Sequence, residues 1–256
     1  MTADLFHAGL GWPIATALIA LSFVTSFITA AFGIGGGIIM LATLASLLPG
    51  PAIIPVHGLV QLGANGGRAV MLFRHLYKPV LVPFIVGTGI GVALAGSVVV
   101  NLPAAWIQIG VGGFILWSVF STPPGFLRRS AGLAGFVSSA LSMFFGGTGP
   151  FVAAFLKAQG LGRMAQVATH STLMSTQHLL KTVTFAILGF AFSQWVGLVA
   201  LLVVIGFLGT LAGGKVLARI DERRFRLVLS GILILLALRL IYAGASQLYA
   251  GGAAPA

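Results

Sequence analysis

Nearly the whole chain is a succession of apolar runs, several of membrane length, and this leaves it few folds to choose from. The runs at 12–32, 80–100, 194–217 and 225–248 are long enough to cross a hydrocarbon core of ~30 Å at ~1.5 Å per helical residue. In hydrocarbon every backbone N–H and C=O must find a partner inside the protein, so only helices and closed barrels cross it. The runs show none of the period-2 alternation of a barrel strand. Composition agrees: residues are 58% hydrophobic and 7% charged, against about a quarter charged in a soluble domain. No hydrophilic stretch is long enough for a soluble domain, and the opening MTADLFHAGLGW lacks the basic region of a cleavable signal. The expected class is an all-α membrane protein.

The chain is also written twice. Residues 12–32 run into Gly33-Ile34-Gly35-Gly36-Gly37, and a short apolar piece, 38–48, ends at Pro49-Gly50-Pro51. Helices are then expected at 56–75, 80–100 and 104–121. After a connector at about 122–129 the plan returns: 130–145, a second break at Gly146-Gly147-Thr148-Gly149-Pro150, a short piece to Lys157, then helices at 164–188, 194–217 and 225–248. Phe32-Gly33 and Phe145-Gly146 differ by 145 − 32 = 113, and Ala95-Gly96 and Ala212-Gly213 by 212 − 95 = 117. The sequence thus divides into repeat 1 at about 12–121 and repeat 2 at about 130–248 of a single membrane domain.

Loop charge orients the two repeats. In the first, Pro49 to Pro51 is uncharged, Arg74 to Lys78 basic and Asn101 to Pro103 uncharged; in the second, Lys157 to Arg163 is basic, Gly189 to Ser193 uncharged and Arg219 to Arg224 basic. Corresponding loops face opposite sides. This is the mark of inverted-topology repeats with five segments each, the first two forming a glycine-broken hairpin, either fully spanning or re-entrant. Both termini then lie on the non-cytoplasmic side. The same bias accounts for the bulk of the +11 net charge, so no nucleic acid is expected as a partner. The lipid bilayer is expected, and a homodimer is left open.

Polar groups concentrate in one helix of each repeat. His57, Gln61, Asn65 and Arg68 follow at steps of four, four and three, so they form one helical stripe. Adding 113 gives His170, Met174, His178 and Lys181. A cation inside a membrane segment marks a functional site unless its stem snorkels to the headgroups. Lys181 approaches an uncharged loop and is surrounded by polar residues, which favours the site; Arg239, alone in the last helix, reads as a snorkelling or interface residue. Breaks at Gly35, Gly36, Gly37 and at Gly147, Thr148, Gly149 serve either close packing or exposure of helix N-termini, whose free N–H groups attract anions. His57 and His170 suit hydrogen bonding or proton transfer. His170 and His178 stand two turns apart, too far to chelate one metal, and with no cysteine and no intramembrane acid neither a metal nor a cofactor is expected.

The sign of any ligand follows from what is missing. The only acids, Asp4, Asp221 and Glu222, lie outside the apolar runs, whereas a cation site would present Asp or Glu. Arg68, Lys181 and Asn65 with the two breaks favour a small anion. The absence of Gly-x-Ser-x-Gly, His-Glu-x-x-His and paired intramembrane acids argues against an intramembrane enzyme. A carrier with its site at the repeat interface is favoured, and a passive anion channel is its nearest rival.

The run Phe32-Gly33-Ile34-Gly35-Gly36-Gly37-Ile38-Ile39, the Asn65-x-x-Arg68 and His178-x-x-Lys181 helices with Phe73 and Phe185 after them, and the duplicated layout resemble the TauE/SafE family. The resemblance covers nearly the whole chain. It implies export of sulfite or an organosulfonate across the bacterial inner membrane. In the second break Thr148 and Pro150 stand where the first has Gly35 and Gly37, a departure that bears on which anion is carried.

Overall fold

The structure, a computed structural model, describes residues 4–32, 35–99, 103–122, 124–216 and 222–252. Gly33 and Ile34 of the first glycine run, Asn101 and Leu102 of one uncharged loop and Arg219 of one basic loop lie outside these residues. Every element among the described residues is helical. In chain order they are α1 (Asp4–His7), α2 (Trp12–Phe32), α3 (Gly36–Leu47), α4 (Gly50–Met71), α5 (Leu81–Val99), α6 (Ala104–Phe120), α7 (Ala131–Phe145), α8 (Gly149–Ala158), α9 (Arg163–Ile187), α10 (Val196–Val216) and α11 (Glu222–Gly252).

Most boundaries fall near the ends that hydropathy marks; α4 departs. The sequence predicts its start near Val56, beyond the prolines, yet the helix begins at Gly50 and contains Pro55. The N–H groups of a first helical turn have no intrahelical partner, so Pro51 costs nothing there. Pro55 forfeits one bond, the one its missing N–H would make to the Pro51 carbonyl. A single lost bond does not stop a helix whose residues 52–58 are all buried.

The largest helix–helix contacts join residues 12–121 to residues 130–248. α2 packs on α10, α5 on α7, α6 on α11 and α4 on α9. The pairs α2–α10 and α5–α7 are reciprocal: each sets a helix that precedes a glycine break on the helix that follows the other half's polar helix. Glycine makes both approaches close: a Cβ on Gly209 would run into the Phe23 carbonyl oxygen, and one on Gly135 into that of Phe84. Between membrane helices such packing replaces the hydrophobic driving force that lipid cannot supply.

The stretches Trp12–Phe32, Lys78–Val99, Val196–Lys215 and Leu227–Tyr249 are long and apolar enough to span a membrane. They turn an apolar side outward; Val82, Val86, Ile90 and Leu94 form an exposed stripe on α5 spaced one helical turn apart. α4 and α9 are as long but carry the polar stripes, and they lie against each other with α5 on α9 and α10 on α4. The polar helices are thus sheathed by apolar ones, and this is what places a polar site inside the bundle.

Gly209→Ala should lower stability by about 1–3 kcal/mol, the usual result of overpacking a filled contact. Gly89, with open space where its Cβ would be, should accept Ala without loss, because Ala is the better helix former. Thermal unfolding of both variants in detergent checks this; equal midpoints would mean that the α2–α10 contact is not tight.

Candidate functional site

The site grows from α4 and α9. His57 meets His178, with ring centroids 5.9 Å apart and edge-to-face, while Arg68 and His170 border one cavity, so the two helices run antiparallel. The Arg68 end leads to Arg74 and Lys78, and α9 begins at Arg163 on the same side, so this is the basic end of the bundle. The opposite end carries the Pro49 and Gly189 turns and is uncharged.

Each polar helix grips the short helix that follows its own break. His57 Nε2 lies 3.0 Å from the Gly37 carbonyl oxygen, and His170 Nε2 lies 3.3 Å from that of Gly149. A carbonyl only accepts, so Nε2 carries the proton in both rings. The contacts correspond within one residue between the repeats, since 170 − 57 = 113 and 149 − 37 = 112. The histidines therefore hold the N-termini of α3 and α8 against the site. Both starts follow abrupt turns: Gly35 has φ 106° and Gly146 has φ 75°, backbone that side chains rarely tolerate.

Between these parts lies a cavity of about 50 Å³, well below the usual size of a ligand pocket. From repeat 1 it is lined by His57, Asn65 and Arg68 with Gly35 and Gly37; from repeat 2 by His170 and His178 with Gly147 and Gly149. Gln61, Met174 and Thr29 also line it. Arg68 Nη2 donates to Asn65 Oδ1 at 2.8 Å, and Asn65 Nδ2 donates to the Gln61 carbonyl at 2.8 Å. The other arm, Nη1, is buried and has no hydrogen-bond partner. The membrane spans around it contain no acid.

Three residues singled out in the sequence stand elsewhere. Gly36 is buried against Thr25 and Thr29, where a side chain would not fit. The Thr148 hydroxyl accepts from Gln177 Nε2 at 2.9 Å, and Gln177 Oε1 accepts from Ser138 at 2.9 Å. Lys181 is fully buried but outside the cavity wall; its Nζ donates to Ser142 Oγ at 3.0 Å. Arg239 is exposed on α11, apart from the other two cations. Thr29 and Ser142 drew no attention in the sequence, although 142 − 29 = 113 relates them as it relates the histidines.

The cavity borders a wider space of about 360 Å³ that includes Arg68, His170, Lys157 and Gln166 and so lies toward the basic end. A third space, about 230 Å³, lies at the uncharged end among Pro51, Ile54, Val99, Phe185 and Leu188. No residue of this third space lines the central cavity. Among the described residues no three His, Cys, Asp or Glu side chains gather as metal ligands.

Comparison with known families decides what kind of molecule carries this arrangement. Residues 18–240 match the family model described as sulfite exporter TauE/SafE. The chain belongs to the TauE/SafE sulfite exporter family. No curated protein and no solved structure matches it. Membership in this transporter family, together with the apolar helices, makes the chain a multi-pass membrane transport protein.

Gln177→Leu should cost about 1–3 kcal/mol, because it leaves the buried Thr148 hydroxyl without its partner and Ser138 with only its long bond to the Gly135 carbonyl. Thermal unfolding followed by tryptophan fluorescence measures it; an unchanged midpoint would show that Gln177 does not brace the second break.

Proposed function

We propose that this protein is a secondary transporter that exports a small sulfur-containing anion, sulfite or an organosulfonate, across the bacterial inner membrane by alternating access. The observation that carries the reading is the free arm of Arg68 in a cavity with no carboxylate. A buried cation without a counter-charge is costly, and an anion entering this cavity would relieve that cost. Oxyanions suit the surroundings, since their oxygens accept from a guanidinium, from the Asn65 and Gln61 amides and from the first N–H groups of two helices at once. The small cavity favours a compact ion.

An inverted-repeat arrangement would suit alternating access. The reciprocal pairing of α2 with α10 and α5 with α7 is what a two-fold axis relating antiparallel halves would produce. Placing the basic end in the cytoplasm puts both termini in the periplasm and opens the larger space beside Arg68 to the cytoplasm. The loaded anion would leave down an inside-negative potential, worth about 2.3 kcal/mol per charge per 100 mV, so export needs little coupling.

Sulfite flux into or out of proteoliposomes tests the reading, with sulfate and sulfoacetate as competitors. The wild type should carry sulfite, and Arg68→Met should reduce flux about 10- to 100-fold, the value of a charge-assisted hydrogen bond, without loss of membrane insertion. Normal flux in Arg68→Met would remove Arg68 from the site. Flux far above carrier turnover would make the protein an anion channel.

A further inference from the structure

Related residues of the two repeats are in unlike states. In repeat 2, Lys181 Nζ on α9 donates to Ser142 Oγ on α7, and Ser142 Oγ in turn donates to the Gly146 carbonyl at 3.3 Å. The corresponding pair in repeat 1 is Arg68 on α4 and Thr29 on α2, both at an offset of 113, since 181 − 68 = 142 − 29. No hydrogen bond joins that pair. Thr29 Oγ1 donates to its own helix at Thr25 O, 2.9 Å away, and Arg68 Nη1 has no partner. A hydroxyl that donates once still accepts twice, so Thr29 can receive Arg68 without giving up its own bond.

The unlike states coincide with unlike access. Arg68 and Thr29 both line the central cavity and both line the space toward the basic end, so where their bond is absent the two spaces adjoin. Lys181 falls on α9 between His178, which lines the central cavity, and Phe185, which lines the space at the uncharged end. Its stem fills the place beside α4 where Gly58 has no side chain, a Cβ there lying 2.8 Å from Lys181 Cε. The bonded cation thus stands in the wall between two spaces that do not adjoin.

We propose that Ser142 and Thr29 are matched positioning residues: the Ser142–Lys181 bond holds the route to the uncharged end shut, and an Arg68–Thr29 bond shuts the basic end in the opposite state. The proposal rests on the alternating-access reading, and it adds two hydroxyls that exchange the cations' roles. Substrate enters the exchange by drawing a cation off its hydroxyl, which an oxyanion does because it is the stronger acceptor.

The chain contains no cysteine, so sidedness can be read with one introduced thiol. Met174→Cys, in the wall of the central cavity, is reconstituted in vesicles and exposed from one side at a time to a membrane-impermeant maleimide. In the otherwise wild-type chain it should react from the basic end. Adding Ser142→Ala should raise reaction from the uncharged end roughly tenfold, the population shift expected for losing one bond to a charged group. Thr29→Val should lower that reaction or leave it at background while raising the one from the basic end. Ser142→Thr, which keeps the hydroxyl, should restore wild-type sidedness and separates positioning from misfolding. Unchanged sidedness in both Ser142→Ala and Thr29→Val, or a shift of both toward the same end, would overturn the proposal. The reagent needs no substrate, so a wrong anion leaves this result intact, whereas flux far above carrier turnover would show a channel and defeat the alternating-access reading itself.

Discussion

Two cations are buried in a membrane bundle whose spans contain no carboxylate, and much of the architecture is arranged around that fact. A soluble protein would pair a buried arginine with an acid. Here the protein supplies only neutral acceptors: the Asn65 amide for Arg68 and the Ser142 hydroxyl for Lys181. Neither neutralises charge. On the proposed function, this deficit of negative charge would make the interior receptive to an anion, and an internal ion pair would abolish it.

Holding such groups away from lipid dictates the layers around them. α4 and α9 can be polar only because α10 and α5 cover them, and these covering helices are apolar enough to face lipid themselves. The close glycine contacts on α10 and α7 draw the sheath tight without any hydrophobic force between helices. The broken elements follow the same logic: irregular backbone at membrane depth survives where protein surrounds it, and His57 and His170 bond the first turns of α3 and α8 to the central pair.

The sequence made the helical class legible through hydropathy, and the polar stripes through their spacing and their return at an offset of 113. The stripe residues His57, Asn65, Arg68, His170 and His178 do meet in one cavity, because helical periodicity determines which residues share a face. Periodicity does not determine where a long side chain points. Lys181 shares its face with His178, yet its four-carbon stem turns toward Ser142, a choice made by the gap at Gly58 on a different helix. Nor could Ser142 and Thr29 stand out, since hydroxyls in membrane helices usually bond back to their own carbonyls, as Thr29 does. The start of α4 was hidden for a different reason: two prolines signal a stop locally, and tertiary burial overrides the single bond that Pro55 forfeits.

The two cations are not the same residue, and the difference has consequences. A guanidinium presents several donors in a rigid fork, so Arg68 can hold Asn65 with one arm and still offer another to a ligand. An ammonium is a compact point charge on a flexible stem, and its place follows whichever acceptor it has. Arg68 is thereby suited to remain at the site whether or not an anion is bound, and Lys181 to leave Ser142 when a better acceptor comes within reach. An exact two-fold repeat would give both ends equal claims on the anion. Arginine in one half and lysine in the other make them unequal, so the two states of an alternating-access carrier would differ in how tightly they hold an anion, while the gradient alone would set the direction of net movement.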